Sequence, residues 1–83
     1  MLAQRNNERR SFDQIKKQAI AVFVTNTQQH PKSANAWDSL GEGYFTKGDK
    51  KNAIASFRKS LSLNPNEATK ANSEKYLKKL LGN

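Results

Sequence analysis

Apolar and polar positions follow one another along the chain with a helical period, and glycine and proline cut that pattern into four segments. The stretches "HPKS" at 30–33, "KGDK" at 47–50 and "NPNE" at 64–67 each join a breaker to a residue suited to start a helix. In the first segment Ser11 followed by Gln14 has the form of a capping box, after which Phe12, Ile15, Ala19, Val22 and Phe23 fall on one helical face. The β-branched residues would suit a strand, but their spacing is that of a helix. The second segment opens after Ser33, carries Ala36, Trp37, Leu40, Gly41 and Tyr44 on one stripe, and stops at Gly48, which suits a left-handed cap. The third starts from Asp49 and presents Ala53, Ile54, Phe57, Leu61 and Leu63 before Asn64-Pro65 forbids continuation. The fourth runs from Asn66 to about Leu81, with Tyr76, Leu77, Leu80 and Leu81 at its far end and only Ala68 and Ala71 in its first turns. Short turns between four helices predict an all-α fold in which neighbours lie antiparallel.

Two glycines disturb this reading. Gly41 and Gly43 lie inside the second helical pattern, and each costs about 1 kcal/mol relative to alanine. Something elsewhere in the fold must compensate for that cost.

Seven residues then fall into a known register. Trp37, Leu40, Gly41, Tyr44, Ala53, Phe57 and Pro65 reproduce the spacing W-x2-L-G-x2-Y, A-x3-F and P of the tetratricopeptide repeat, a helix-turn-helix unit of 34 residues. Residues 34–67 therefore resemble one complete repeat of that family. The resemblance implies a right-handed α-solenoid fragment in which Gly41 marks the contact between the two helices of the repeat, with Ala53 expected opposite it. Gly43 falls outside the motif.

Moving back one repeat length places Ala19, Phe23 and Pro31 at the positions of Ala53, Phe57 and Pro65. Residues 11–33 thus read as the second helix of a partial repeat. Its first helix is missing, because Ala3, Asn6, Asn7 and Arg10 stand where Trp37, Leu40, Gly41 and Tyr44 would be required. Residues 1–10 are an N-terminal arm or a helical extension, since Gln14 replaces the turn glycine and nothing there breaks a helix. Moving forward, Ala71, Glu74, Lys75 and Lys78 replace the same markers, so residues 68–83 read as a capping helix with a polar outer face.

Repeats of this kind bury their apolar faces only by stacking, and about three are normally needed. Lacking a mate for its first helix, the chain is expected to leave Phe12, Ile15, Val22 and Phe23 partly open, a patch suited to a homodimer. The resemblance further implies a noncatalytic module that offers a concave face to a protein or peptide. On this chain that face would be Asn35, Asp38, Glu42, Phe45 and Thr46. Asp38 and Glu42, four residues apart, suit a basic or amphipathic segment, or the lysine-rich last helix of another copy. A narrower resemblance, carried by the run from His30 to Pro65 with its "NAWDSLGE" element, is to repeats at the carboxyl end of some bacterial serine-hydrolase and esterase-like proteins. It implies an accessory or dimerisation tail.

Composition bears on the remaining classes of function. With 83 residues the chain makes one small domain, burying roughly 60–65% of the surface exposed on unfolding. Cysteine is absent and there is one histidine, His30, beside a turn proline, so no metal or cofactor site is expected. Ser39 sits in "DSLGE", not in a nucleophile elbow, and no catalytic residue is assigned. The longest apolar run, "AIAVFV", is too short to span a bilayer. Fifteen Lys and Arg against seven Asp and Glu give a net charge of +8, which brings salt-sensitive attraction to polyanions. The cations fall in scattered pairs between apolar positions, as on a solvated helix face, and no nucleic-acid groove is expected.

Overall fold

The computed structural model describes residues 2–82, with side chains described from Phe12 onward. Four helices follow one another: α1 (Leu2–Gln29), α2 (Ala34–Lys47), α3 (Lys50–Ser62) and α4 (Glu67–Leu81). Among the described residues there is no strand.

The caps explain where α2, α3 and α4 begin and end. Ser33, Asp49 and Asn66 each stand just outside a helix and accept a backbone N–H three residues on, from Ala36 at 3.2 Å, Asn52 at 3.2 Å and Thr69 at 2.8 Å. Gly48 ends α2 at φ +88°, its N–H donating to the Phe45 carbonyl. Asn64, the only non-glycine at positive φ among the described residues, turns the chain ahead of Pro65 at φ +58°.

At the start of α1 the helical extension, not the capping box, describes the chain. Ser11 lies inside that helix, so the Ser11-Gln14 pattern initiates nothing. Residues 2–10 contain no glycine or proline, and without a breaker the helix extends to Leu2. Met1 and Asn83, at the ends of the expected arm and cap, lie outside the described residues.

α2 and α3 form an antiparallel hairpin, with Ala34 against Ser60 and Gly41 against Phe57. The core is Ala53, Phe57, Leu77 and Leu80, edged by Tyr44, Ile54, Leu61 and Tyr76. A Cβ on Gly41 would sit 2.7–2.8 Å from three ring carbons of Phe57. The nearest side chain to the missing Cβ of Gly41 is therefore the Phe57 ring, which the motif expectation, with Ala53 opposite, did not name.

Gly43 has the same kind of role on the opposite side of α2. Its absent Cβ would meet Phe23 at 2.9 and 3.2 Å and Ile20 at 3.4 Å. α1 packs through Ile20, Phe23 and Thr27, and among the described residues it touches only α2. The expected single face of Phe12, Ile15, Val22 and Phe23 is accordingly split: Phe23 turns beneath α2 while the other three stay open.

Small polar side chains fill the tightest contacts. Ser56, Ser60, Thr69, Ser73 and Thr27 are buried, and the Ser60 hydroxyl donates to the Ala34 carbonyl at 2.8 Å. Trp37 is only half-buried. Its indole Nε1–H donates to the Pro31 carbonyl at 2.9 Å, which fastens the turn before α2 and takes the ring out of the core.

Candidate protein-interaction surface

Two surfaces came forward from the sequence, and the fold treats them oppositely. The first is the stripe Asn35, Asp38, Glu42, Phe45 and Thr46 along α2. α4 runs parallel to α2 and lies against the middle of this stripe. Asp38 is 5% exposed and accepts from the Ser73 hydroxyl at 2.7 Å and from Asn72 Nδ2 at 2.8 and 3.1 Å. Glu42 accepts from the same Asn72 nitrogen at 3.2 Å and, more weakly, from the Tyr76 hydroxyl at 3.4 Å.

Asp38 is thus neither a ligand-facing acid nor a solvated one. A buried carboxylate must be supplied with donors, and α4 supplies them through an amide and a hydroxyl rather than through its lysines. The expected docking of a lysine-rich helix on this stripe is replaced by the chain's own α4, with Lys75 and Lys79 lying instead over the Tyr76 ring at 5.2 and 5.7 Å.

Tyr76 is the hinge of this face. Its ring stacks on Phe57 at 5.0 Å and meets Phe45 edge-on at 4.9 Å. Burial raises the Tyr76 hydroxyl pKa above 10.0, and the neighbouring Glu42 carboxylate adds to the effect. Of the predicted stripe, Asn35, Phe45 and Thr46 remain exposed at its margins. Asp49 lies at the far turn; its carboxyl pKa is lowered by the hydrogen bonds it accepts from Asn52, the side-chain one being the larger cause.

The second surface is the free side of α1. Phe12, Ile15 and Val22 are 68, 60 and 65% exposed. Beside them an apolar groove of about 330 Å³ opens between α1 and α2, lined by Ile15, Lys16, Ala19, Phe23, Glu42, Gly43 and Thr46. Sequence reasoning named Ile15 and Phe23 on the α1 side of this groove but not Lys16 or Ala19 as lining residues, nor Gly43 on the α2 side. The unexplained glycine was the signal that a second close helix contact existed.

No chemistry-bearing cluster accompanies either surface. Among the described residues no group of three or more His, Cys, Asp or Glu is placed to hold a metal ion, and no helix is long and apolar enough to cross a membrane.

The repeat geometry of α2 and α3, with Gly41 against Phe57, Pro65 at the exit turn and α4 stacked in register, agrees with the family comparison, in which the tetratricopeptide repeat profile matches residues 34–67. Residues 34–67 form a tetratricopeptide repeat. Superkiller complex protein 3 of Mus musculus is 34% identical over 65 residues, covering 78% of this chain and 4% of that protein. The Homo sapiens protein of the same name is 42% identical over 48 residues, 58% of this chain and 3% of its own length. Cellulose synthase operon protein C of Escherichia coli (strain K12) is 36% identical over 50 residues, 60% of this chain and 4% of that protein. The chain therefore spans only a few per cent of the length of these relatives. No solved structure gives a significant match.

Around the repeat, α4 follows as a further helix whose outward residues Ala71, Glu74, Lys75 and Lys78 are all exposed. α1 precedes it in the place of a second helix, with no first helix beside it among the described residues.

Proposed function

We propose that the chain is a noncatalytic protein-interaction module that works through the free face of α1 and the adjoining α1/α2 groove. One observation carries this reading. In α3, which α2 and α4 both pack against, the residues Ala53, Ser56, Phe57 and Ser60 are buried, whereas their counterparts 34 residues earlier on α1, which only α2 packs against among the described residues, namely Ala19, Val22, Phe23 and Asn26, are half-covered or open. A face that this fold covers with a helix in one repeat is uncovered in the other, and apolar side chains so placed mark a binding surface. The repeat supports the same reading at a coarser level, as does a relative named as a component of a complex.

Asn35, Phe45 and Thr46, at the margin of the concave side, are a secondary contact area for a peptide lying along α2. Asp38 is excluded from it by burial.

Selection of helical peptides from a display library on the intact chain tests the proposal. The expected clones are amphipathic, and they lose binding at least tenfold to an Ile15→Asp or Val22→Asp chain of unchanged helicity. Clones that ignore both substitutions, and respond instead to Asn35→Ala or Phe45→Ala, would move the working surface to the concave side.

The narrower resemblance to hydrolase tails makes an accessory or dimerisation role the second reading, favoured by the open Phe12, Ile15 and Val22. Polyanion binding stands third. The cations nearest to aromatic rings, Lys59 over Trp37 at 5.9 Å and Lys75 and Lys79 over Tyr76, already have partners within the fold.

A further inference from the structure

We infer that the occupant of the α1/α2 groove is a second copy of this chain, related by a two-fold axis that crosses α1 near the middle of its exposed stripe. This rests on the reading of the α1 face as an interaction surface and names its partner. Three features of the groove select a copy over other occupants.

The surface is self-complementary in shape. Phe12 and Ile15 project from α1 at one end of the stripe, while Ala19, Phe23 and Gly43 form the hollow at the other. An antiparallel pair of α1 helices with its axis near residue 17 sets Ile15 of each copy beside Ala19 of the other, and Phe12 beside Val22. Knob and hollow on one patch are what an isologous contact requires.

The rim is self-complementary in charge. Lys16 stands on the α1 wall and Glu42 on the α2 wall of the same groove. The two-fold axis brings Lys16 of each copy toward Glu42 of the other, giving two opposed pairs. A partner of a single charge sign would be attracted by one wall and repelled by the other. The net charge of +8 on each copy opposes association, but at 0.15 M salt its reach shrinks to about 8 Å while the groove contacts are unaffected.

The outer side of α4 offers a poorer contact than the α1 stripe. α4 turns Glu74, Lys75 and Lys78 outward, so its exposed side is more polar than the α1 stripe and favours pairing of like faces over head-to-tail growth. Phe12, Ile15 and Val22 expose on the order of 300 Å² per copy, about the largest apolar patch a monomer carries. Two such patches with their polar borders approach the ~1,000 Å² that marks a specific interface.

Light scattering or sedimentation of the intact chain at 0.15 M salt, from micromolar to millimolar concentration, reads the prediction directly. A species of twice the 9.4 kDa chain mass is expected. Ile15→Asp and Val22→Asp replace exposed side chains and should weaken the dimer at least tenfold with helicity unchanged. Lys16→Glu and Glu42→Lys should each weaken it, and mixing the two variants should restore a dimer, because the mixed pair sets glutamate against lysine on both sides. If Glu42→Lys loses helicity, the two aspartate variants decide alone.

A chain that remains monomeric at millimolar concentration overturns the second copy as occupant and leaves the α1 face to a different helical partner, which the peptide selection reads independently. A dimer indifferent to both aspartate variants overturns the location. Failure of the mixed pair, with both parent variants folded and monomeric, overturns the two-fold arrangement.

Discussion

Helices α1 and α3 carry the same Ala-x3-Phe pair 34 residues apart, yet Ala53 and Phe57 are wholly inaccessible to water while Ala19 and Phe23 are only half-covered. The next position along the same face makes the contrast sharper, since Ser56 is 4% exposed and its counterpart Val22 is 65% exposed. The more polar residue is buried and the more apolar one is open. Hydropathy alone would assign these two positions the wrong way round. What differs is the number of neighbours: α3 is packed by both α2 and α4, whereas α1 is packed, among the described residues, by α2 alone. A stripe becomes core only when another element covers it.

The largest expected effect comes from deleting the ring at the two equivalent positions. Phe57→Ala should cost about 3–5 kcal/mol, as for a fully buried aromatic residue, whereas Phe23→Ala should cost well under half of that because its site is partly solvated and can collapse. Urea unfolding followed by circular dichroism gives both numbers, and equal losses would break the contrast between the two helices.

Charge placed at the neighbouring positions separates them again. Ser56→Lys forces an ammonium into a buried contact and should cost several kcal/mol, while Val22→Lys should stay within about 0.5 kcal/mol for the monomer. A comparable drop in melting temperature for the two would mean that the α1 face is covered after all.

The glycines sharpen the same contrast at smaller amplitude. Alanine gains about 1 kcal/mol of helix propensity over glycine, against which its Cβ must be accommodated. At position 41 the methyl meets the buried Phe57 ring at 2.7 Å, and Gly41→Ala should be destabilising by roughly 1–3 kcal/mol. At position 43 it meets Phe23, a ring free to move toward solvent, so Gly43→Ala should be near neutral. A Gly43→Ala loss as large as that of Gly41→Ala would show Phe23 to be as firmly held as Phe57.

The smallest effect is a dependence on pH. Because the folded state raises the Tyr76 pKa above 10.0, its contribution to stability is complete below pH 10 and is lost as the pH climbs through the raised value. The stability curve of Tyr76→Phe should therefore fall less steeply above pH 10 than that of the parent chain. Parallel curves would place the hydroxyl in water, away from Glu42.

Much of the fold was legible because it depends on local rules. Ser33, Asp49, Asn66, Gly48 and Pro65 mark boundaries through their own side chains or backbone preferences, and those boundaries appear where the sequence puts them. The start of α1 was left open between an arm and a helical extension, because a capping box is informative only where the preceding residues cannot themselves be helical. The role of Asp38 was misjudged for a different reason. Its spacing on α2 is that of a surface acid, and its burial comes from Asn72 and Ser73, more than thirty residues away.

The sequence by itself determined four helices, their turns and the repeat register of residues 34–67, since caps, breakers and a 34-residue spacing act at short range. Only the tertiary structure decided which apolar stripe would become core and which would remain a surface. It also decided that Gly41 answers Phe57, that Gly43 answers Phe23, and that Asp38 belongs to α4. Those outcomes depend on which helix lies across which, a property of pairs of distant segments that no single stretch of the chain encodes.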